Sequence, residues 1–110
     1  MNLKLSGNVN NTRGEYNGVY SYNGTINAKY YWIKNGGQAI WYNPEFQLWM
    51  IGTENYLGTQ WHHMHGSNDS ICPKSYKLNS KWEYWGFSLN TYTWSWIDTT
   101  TDFKLSCIGK

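Results

Sequence analysis

Three histidines crowd the stretch Trp61-His62-His63-Met64-His65, and they are the residues of this chain with the plainest capacity for chemistry. Side chains two apart on a strand share a face, so His63 and His65 are expected side by side. Two imidazoles at that spacing can form part of a zinc site, which needs a third or fourth ligand. Asp69 or Cys72 is near enough in sequence to supply one. Cys72 has a competing partner in Cys107, however, and the histidines are read as a polar loop cluster with no metal and no cofactor. His62 joins them in a group whose charge would change near a pH of about 6.5.

The carboxylates are few and scattered: Glu15, Glu45, Glu54, Asp69, Glu83, Asp98 and Asp102. A glycosidase needs two carboxyl groups facing each other across one bond. Glu83 and Asp98 fall on neighbouring expected strands, but solvated surface acids are the preferred reading. The Gly36-Gly37 pair joins two strands and opens no helix, so it is no phosphate loop. No nucleophile motif surrounds any serine. The chain is therefore expected not to be an enzyme.

If Cys72 and Cys107 pair, they close a loop of about 35 residues, worth roughly 4 kcal/mol by the chain-entropy model. The disulfide would tie the C-terminal strand to a loop and would imply an oxidising, extracellular location. Asn10, Asn23 and Asn68 each begin an Asn-x-Ser/Thr sequon, which in so Asn-rich a chain is no proof of glycosylation.

Aromatic rings remain: 8 Trp, 10 Tyr and 3 Phe in 110 residues. At roughly 200 Å² each they would bury on the order of 4,000 Å², and a chain of this mass buries about 12,000 Å² on folding. Area alone therefore forces no ring to the surface. Charged residues are only 15%, and the formal net charge of +2 is too small to argue for nucleic acid. Asn, Gly, Ser and Thr supply the polarity, as suits a neutral, hydrogen-bonding ligand. No apolar segment approaches the length of a membrane span. The opening MNLKLSGNVNNT is too polar for a signal peptide, which fits a mature domain or a protein released by lysis, such as a virion part.

These residues must be positioned by strands. Asn17-Gly18, Asn23-Gly24 and Asn35-Gly36-Gly37 can supply the positive φ of tight turns. Asn43-Pro44-Glu45 and Gly52-Thr53-Glu54 read as further turns. Between and beyond them lie short runs rich in Tyr, Trp and Ile, none with helical periodicity. LKLSG reads as an edge strand, residues 65–79 as a longer loop, and KWEYWGFS, TYTWSWID and DFKLSC as the closing strands. The expected fold is a single all-β domain over residues 1–110, an antiparallel meander forming a small sandwich or barrel.

Alternation places Ile40 and Tyr42 opposite Trp41, Trp49 and Ile51 opposite Leu48 and Met50, and Tyr30 and Trp32 opposite Tyr31 and Ile33. With no helices to cover a second face, several rings are expected outside. Tyr92, Trp94 and Trp96 share one face of their strand and form either a stacking ladder or the main core face. The core reading is preferred for that strand, and the binding face is then assigned to Trp41, Trp49 and Trp85. The candidate ligand-binding residues are Trp41, Trp49, Trp61, Trp85, Trp94, Trp96 and Asp98.

The first half also carries Asn17-Gly18-Val19-Tyr20, Asn27-Ala28-Lys29-Tyr30-Tyr31, Ile40-Trp41-Tyr42 and Trp49-Met50-Ile51-Gly52. This order resembles Trp/Tyr-rich β-repeat units of phage tail-fibre and secreted adhesive proteins, with Ala28 where such units carry a second Gly. The resemblance implies a β fold and a place at a virion or cell surface; it transfers no binding residue. The functional expectation is a non-catalytic binding module, lectin-like or adhesive, whose partner is a glycan or a surface protein, with oligomerisation possible. The alternative is a structural domain of a fibre or multiprotein assembly that docks through its aromatic face.

Overall fold

The computed structural model describes residues 2–6, 16–66, 82–88, 90–98 and 104–108. They form β1 (Asn2–Ser6), β2 (Gly18–Ile26), β3 (Lys29–Lys34), β4 (Gln38–Asn43), β5 (Leu48–Thr53), β6 (Met64–Gly66), β7 (Trp82–Ser88), β8 (Thr93–Asp98) and β9 (Lys104–Ile108). Among the described residues a single 3-10 turn, Glu54–Tyr56, interrupts the strands. Local chemistry accounts for the turns. Asn27 and Ala28 link β2 to β3 with φ of 55° and 66°, the positive pair that matches strand twist in a two-residue hairpin. Asn43 turns the chain after β4, its side-chain oxygen accepting from the Glu45 and Phe46 amides at 2.9 and 3.3 Å.

Asn23-Gly24 is not a turn. It lies within β2, where the register to β3 shifts between Tyr22 and Gly24. A bulge residue and a turn residue both exploit the tolerance of glycine for positive φ, so the dipeptide alone does not distinguish them. Pairing resumes at Gly24 with Tyr31, and the hairpin turns at Asn27-Ala28, four residues later than expected.

The expected all-β antiparallel meander is the fold the chain adopts. β1 to β8 follow one another across one sheet, and β9 returns to pair with β1. The two edge strands, β8 and β9, are therefore consecutive in sequence. Only six peptide steps separate Asp98 from Lys104, a span of at most about 20 Å. That tether forces the sheet to curl, and it forms a half-barrel.

The inner face holds Leu3, Leu5, Tyr16, Tyr20, Trp32, Ile40, Trp49, Ile51, Met64, Trp82, Tyr84 and Leu105 in one buried cluster, with Tyr42 and Ile97 against it. The alternation expected for β3, β4 and β5 holds. A fully buried Trp or Tyr removes about 200 Å² from water, an upper estimate of about 5 kcal/mol of transfer free energy.

A second cluster lies on the outer face: Ala39, Trp41 and Met50, flanked by Ile26, Tyr31, Ile33, Leu48 and Leu57. Its cover is not a helix but the irregular chain between β5 and β6. Leu57 packs on it, and the Trp41 indole Nε1 donates to the Thr59 carbonyl at 3.1 Å. Gly52 permits the close approach, since a Cβ there would sit 3.1 Å from both His62 Cα and the Trp41 ring. The expectation that a helix-free chain must expose Trp41 is thus corrected: a packed loop buries it completely.

Candidate functional site

Among the described residues, the outer face continues onto β7 and β8 without that cover. Trp85 lies opposite Trp96, and Tyr84 opposite Ile97. Tyr84 and Ile97 join the inner core, so Trp85, Trp94 and Trp96 must point outward. The core assignment of the β8 ladder is therefore corrected. One aliphatic residue decides the matter: Ile97 turns inward and takes Ser95 and Thr93 to that side with it. Tyr92 leaves the ladder altogether, in a turn with φ of 56°, and is exposed. Trp85 and Trp94 stack with centroids 6.4 Å apart and planes 18° apart, and Trp96 meets Trp85 edge-on at 5.2 Å.

Beside these rings lies a pocket of about 450 Å³ lined by Phe46, Gln60, Trp61, His62, Trp85 and Trp96. Two connections complete it. Phe46 comes from the turn that Asn43 organises. Gln60, Trp61 and His62 come from the segment that seals Trp41. Within it the Thr59 hydroxyl donates to the Tyr56 carbonyl at 2.7 Å and accepts from the Trp61 amide at 3.1 Å. Trp61 is held by its backbone while the residue stays 65% exposed.

The histidines fall differently from the expectation. His63 leaves His65 and stacks on Tyr16 at 4.8 Å, because the irregular chain before β6 breaks strict alternation. His62 and His65 are the pair that meets, His62 Nε2 lying 2.9 Å from His65 Nδ1. His65 Nε2 in turn lies 2.9 Å from Glu83 Oε1. Both imidazoles lie against Trp96, His62 parallel to it at 4.9 Å and His65 tilted at 4.2 Å. Burial lowers the pKa of His62; its bond to the Gln60 carbonyl opposes that, and the neighbouring His65 and His63 lower it further. Among the described residues no group of three or more His, Cys, Asp or Glu is arranged to hold a metal.

Of the expected ligand-binding residues, Trp61, Trp85 and Trp96 line the pocket and Trp94 extends the platform. Asp98 is exposed on the same face, directly across from Glu83. Trp41 and Trp49 are corrected: Trp41 is sealed under the loop, and Trp49 points to the other side of the sheet, into the inner core. Tyr42 and Trp49 pair across β4 and β5 while Trp41 pairs with Met50, so the two tryptophans never shared a face. Phe46, Gln60, His62, His65 and Glu83 were not among the expected ligand-binding residues. The histidine cluster signals His62 and His65, Glu83 stands out only as one of a carboxylate pair with Asp98, and nothing in the sequence signals Phe46 or Gln60. The Cys72–Cys107 pairing, the sequons at Asn10 and Asn68 and most of the loop over residues 65–79 lie outside the described residues. Asn23 is described, and its side-chain amide donates to the Tyr31 hydroxyl at 3.0 Å. No helix of the described residues is long and apolar enough to cross a membrane.

The arrangement offers indole faces at differing angles, a hydrophobic floor and an exposed amide at Gln60. It can hold a flat or ring-shaped neutral ligand by stacking. No family model, no curated protein and no solved structure matches this chain.

Proposed function

We propose that the chain is a non-catalytic binding module that grips neutral glycans through Trp61, Trp85, Trp94 and Trp96, and that it works at a virion or cell surface. The carrying observation is the open aromatic platform on β7 and β8 beside a pocket whose described lining residues include no lysine, arginine or carboxylate. Sugars present apolar C–H faces to rings and hydroxyls to amides, so Gln60 and the exposed Asp98 supply polar contacts at the rim. Both nitrogens of His62 are occupied by Gln60 and His65, which leaves none aimed at a bound ligand for acid–base work and favours binding over catalysis. In an oxidising location Cys72 and Cys107 would form a disulfide. The test is a glycan array followed by titration of intrinsic tryptophan fluorescence with the glycans it retains. Saturable quenching that Trp61→Ala and Trp85→Ala abolish supports the reading. An array with no retained glycan overturns it.

A second reading has its own observation. Trp94 projects from edge strand β8 and Tyr92 from the turn before it, and exposed Trp and Tyr dominate protein interfaces. Sedimentation that shows concentration-dependent association, with no response to sugars, would favour a docking domain of an assembly.

A further inference from the structure

The imidazoles of His62 and His65 and the Glu83 carboxylate form a hydrogen-bonded row beside Trp96. His62 Nδ1 lies 2.7 Å from the Gln60 backbone carbonyl, which only accepts, so Nδ1 carries a hydrogen. The His62 Nε2–His65 Nδ1 contact needs one hydrogen between two nitrogens, and the His65 Nε2–Glu83 Oε1 contact needs another. Three contacts require three hydrogens. Two neutral imidazoles bring only two. The chain is satisfied only when it holds one additional proton, which makes the Glu83–His65–His62 unit neutral overall.

We infer that Glu83, His65 and His62 act as one positioning unit, holding a single shared proton that sets Trp96 and thereby couples the aromatic platform to pH. This rests on the reading of Trp96 as part of the binding platform and names a regulation of that site. The groups facing the unit agree on where the proton sits. Glu83 on β7 is 37% exposed and His65 on β6 is 15% exposed. Asp98 on β8, across from Glu83 on the same face, adds a second negative charge. Burial disfavours charge on His62, and so do His65 and His63 beside it, against the Gln60 carbonyl bond that favours it. The proton therefore resides on His65 beside the carboxylates, and His62 stays a neutral acceptor. When the proton leaves, one contact becomes two lone pairs facing each other at 2.9 Å, and Trp96 loses the ring it rests on. When a second proton enters, the His62–His65 contact becomes two N–H groups facing each other. The platform is fully assembled only between these limits.

Glu83→Gln separates this from a merely structural role. A glutamine amide can donate to His65 Nε2, His65 Nδ1–H to His62 Nε2, and His62 Nδ1–H to Gln60. All three contacts are then filled with no additional proton, so the variant should assemble the platform and lose its response to alkaline pH. The readout is ligand-free: nitrogen NMR of the imidazoles and the indole signal of Trp96 in the full chain, from about pH 5 to 9, across the imidazole range. The expected wild-type result is His65 with both nitrogens protonated near neutrality, His62 as the Nδ1–H tautomer, and one alkaline transition shared by His65 and Trp96. The variant should lack that transition. Neutral His65 at neutrality in the wild type, or an unchanged Trp96 transition in Glu83→Gln, overturns the inference. The wild-type spectra decide even if the variant fails to fold. Because no sugar is present, a negative result leaves glycan binding standing, and a failed glycan titration leaves these spectra unaffected.

Discussion

The outer face of this sheet is one surface with two fates. Over β4 and β5 it carries Trp41 and Met50 under a packed loop, and Trp41 is fully buried. Over β7 and β8 it carries Trp85, Trp94 and Trp96 with no such cover among the described residues, and Trp94 is 60% exposed. Residue type and strand alternation are alike in both halves. The difference is the chain over residues 54–63, which crosses one half and ends at the border of the other. That segment joins the two: Leu57 and the Thr59 carbonyl close the covered half, while Gln60, Trp61 and His62 wall the open one. A tryptophan on this face is thus core or contact according to what lies over it.

The largest effect that would break the contrast is Trp41→Ala. Truncating a fully buried indole should cost about 3–5 kcal/mol, read as a large fall in the denaturant midpoint. A loss below about 1 kcal/mol would mean that the loop is no real cover. Gly58→Ala comes next. Gly58 has φ of +84°, and a Cβ there would lie 2.8 Å from Ile26 Cδ1. Strain and overlap should cost about 1–3 kcal/mol, and because the loop also walls the pocket, the Trp61 emission should shift with it.

On the open half the signs reverse. Trp61→Ala should change stability by no more than about 0.5 kcal/mol while lowering affinity for an array-identified glycan about thirtyfold, as for a central hot-spot ring. Loss of stability without loss of affinity would move Trp61 into the covered class. The smallest effect concerns acid. Burial lowers the pKa of His62 in the folded chain, whereas unfolded His62 takes a proton below a pH of about 6.5. The unfolded state then binds more protons, so stability contributed here is present above that pH and falls as the pH drops below it. His62→Gln should flatten this acid limb in urea melts at successive pH values. An unchanged slope would show that His62 titrates alike in both states.

Much of the fold was legible because its signals are local. Short Tyr/Trp/Ile runs, punctuated by Asn-Gly and Asn-Pro, specify strands and turns, and alternation divides each strand into two faces. The Asn23-Gly24 bulge was misread because a bulge and a turn make the same demand on φ. The site was legible only in part. Trp61, Trp85, Trp94 and Trp96 belonged to the expected set, but Trp41 and Trp49 did not belong with them. Alternation states which side chains share a face and says nothing of what covers that face. The histidine pairing was misassigned for a related reason: the irregular approach to β6 turns His63 towards Tyr16, and period-two reasoning fails wherever the backbone leaves the strand.

The sequence by itself determined that this chain is a helix-poor antiparallel meander with more aromatic surface than one face needs, because hydrogen-bonding period and turn chemistry are encoded within a few residues. The tertiary structure alone decided which rings are enclosed, that His62 rather than His63 meets His65, and that Glu83 completes the row. Those outcomes depend on contacts between residues far apart in sequence, such as Tyr16 with His63 and His62 with Trp96, which form only once the sheet has curled and the loop has folded over it.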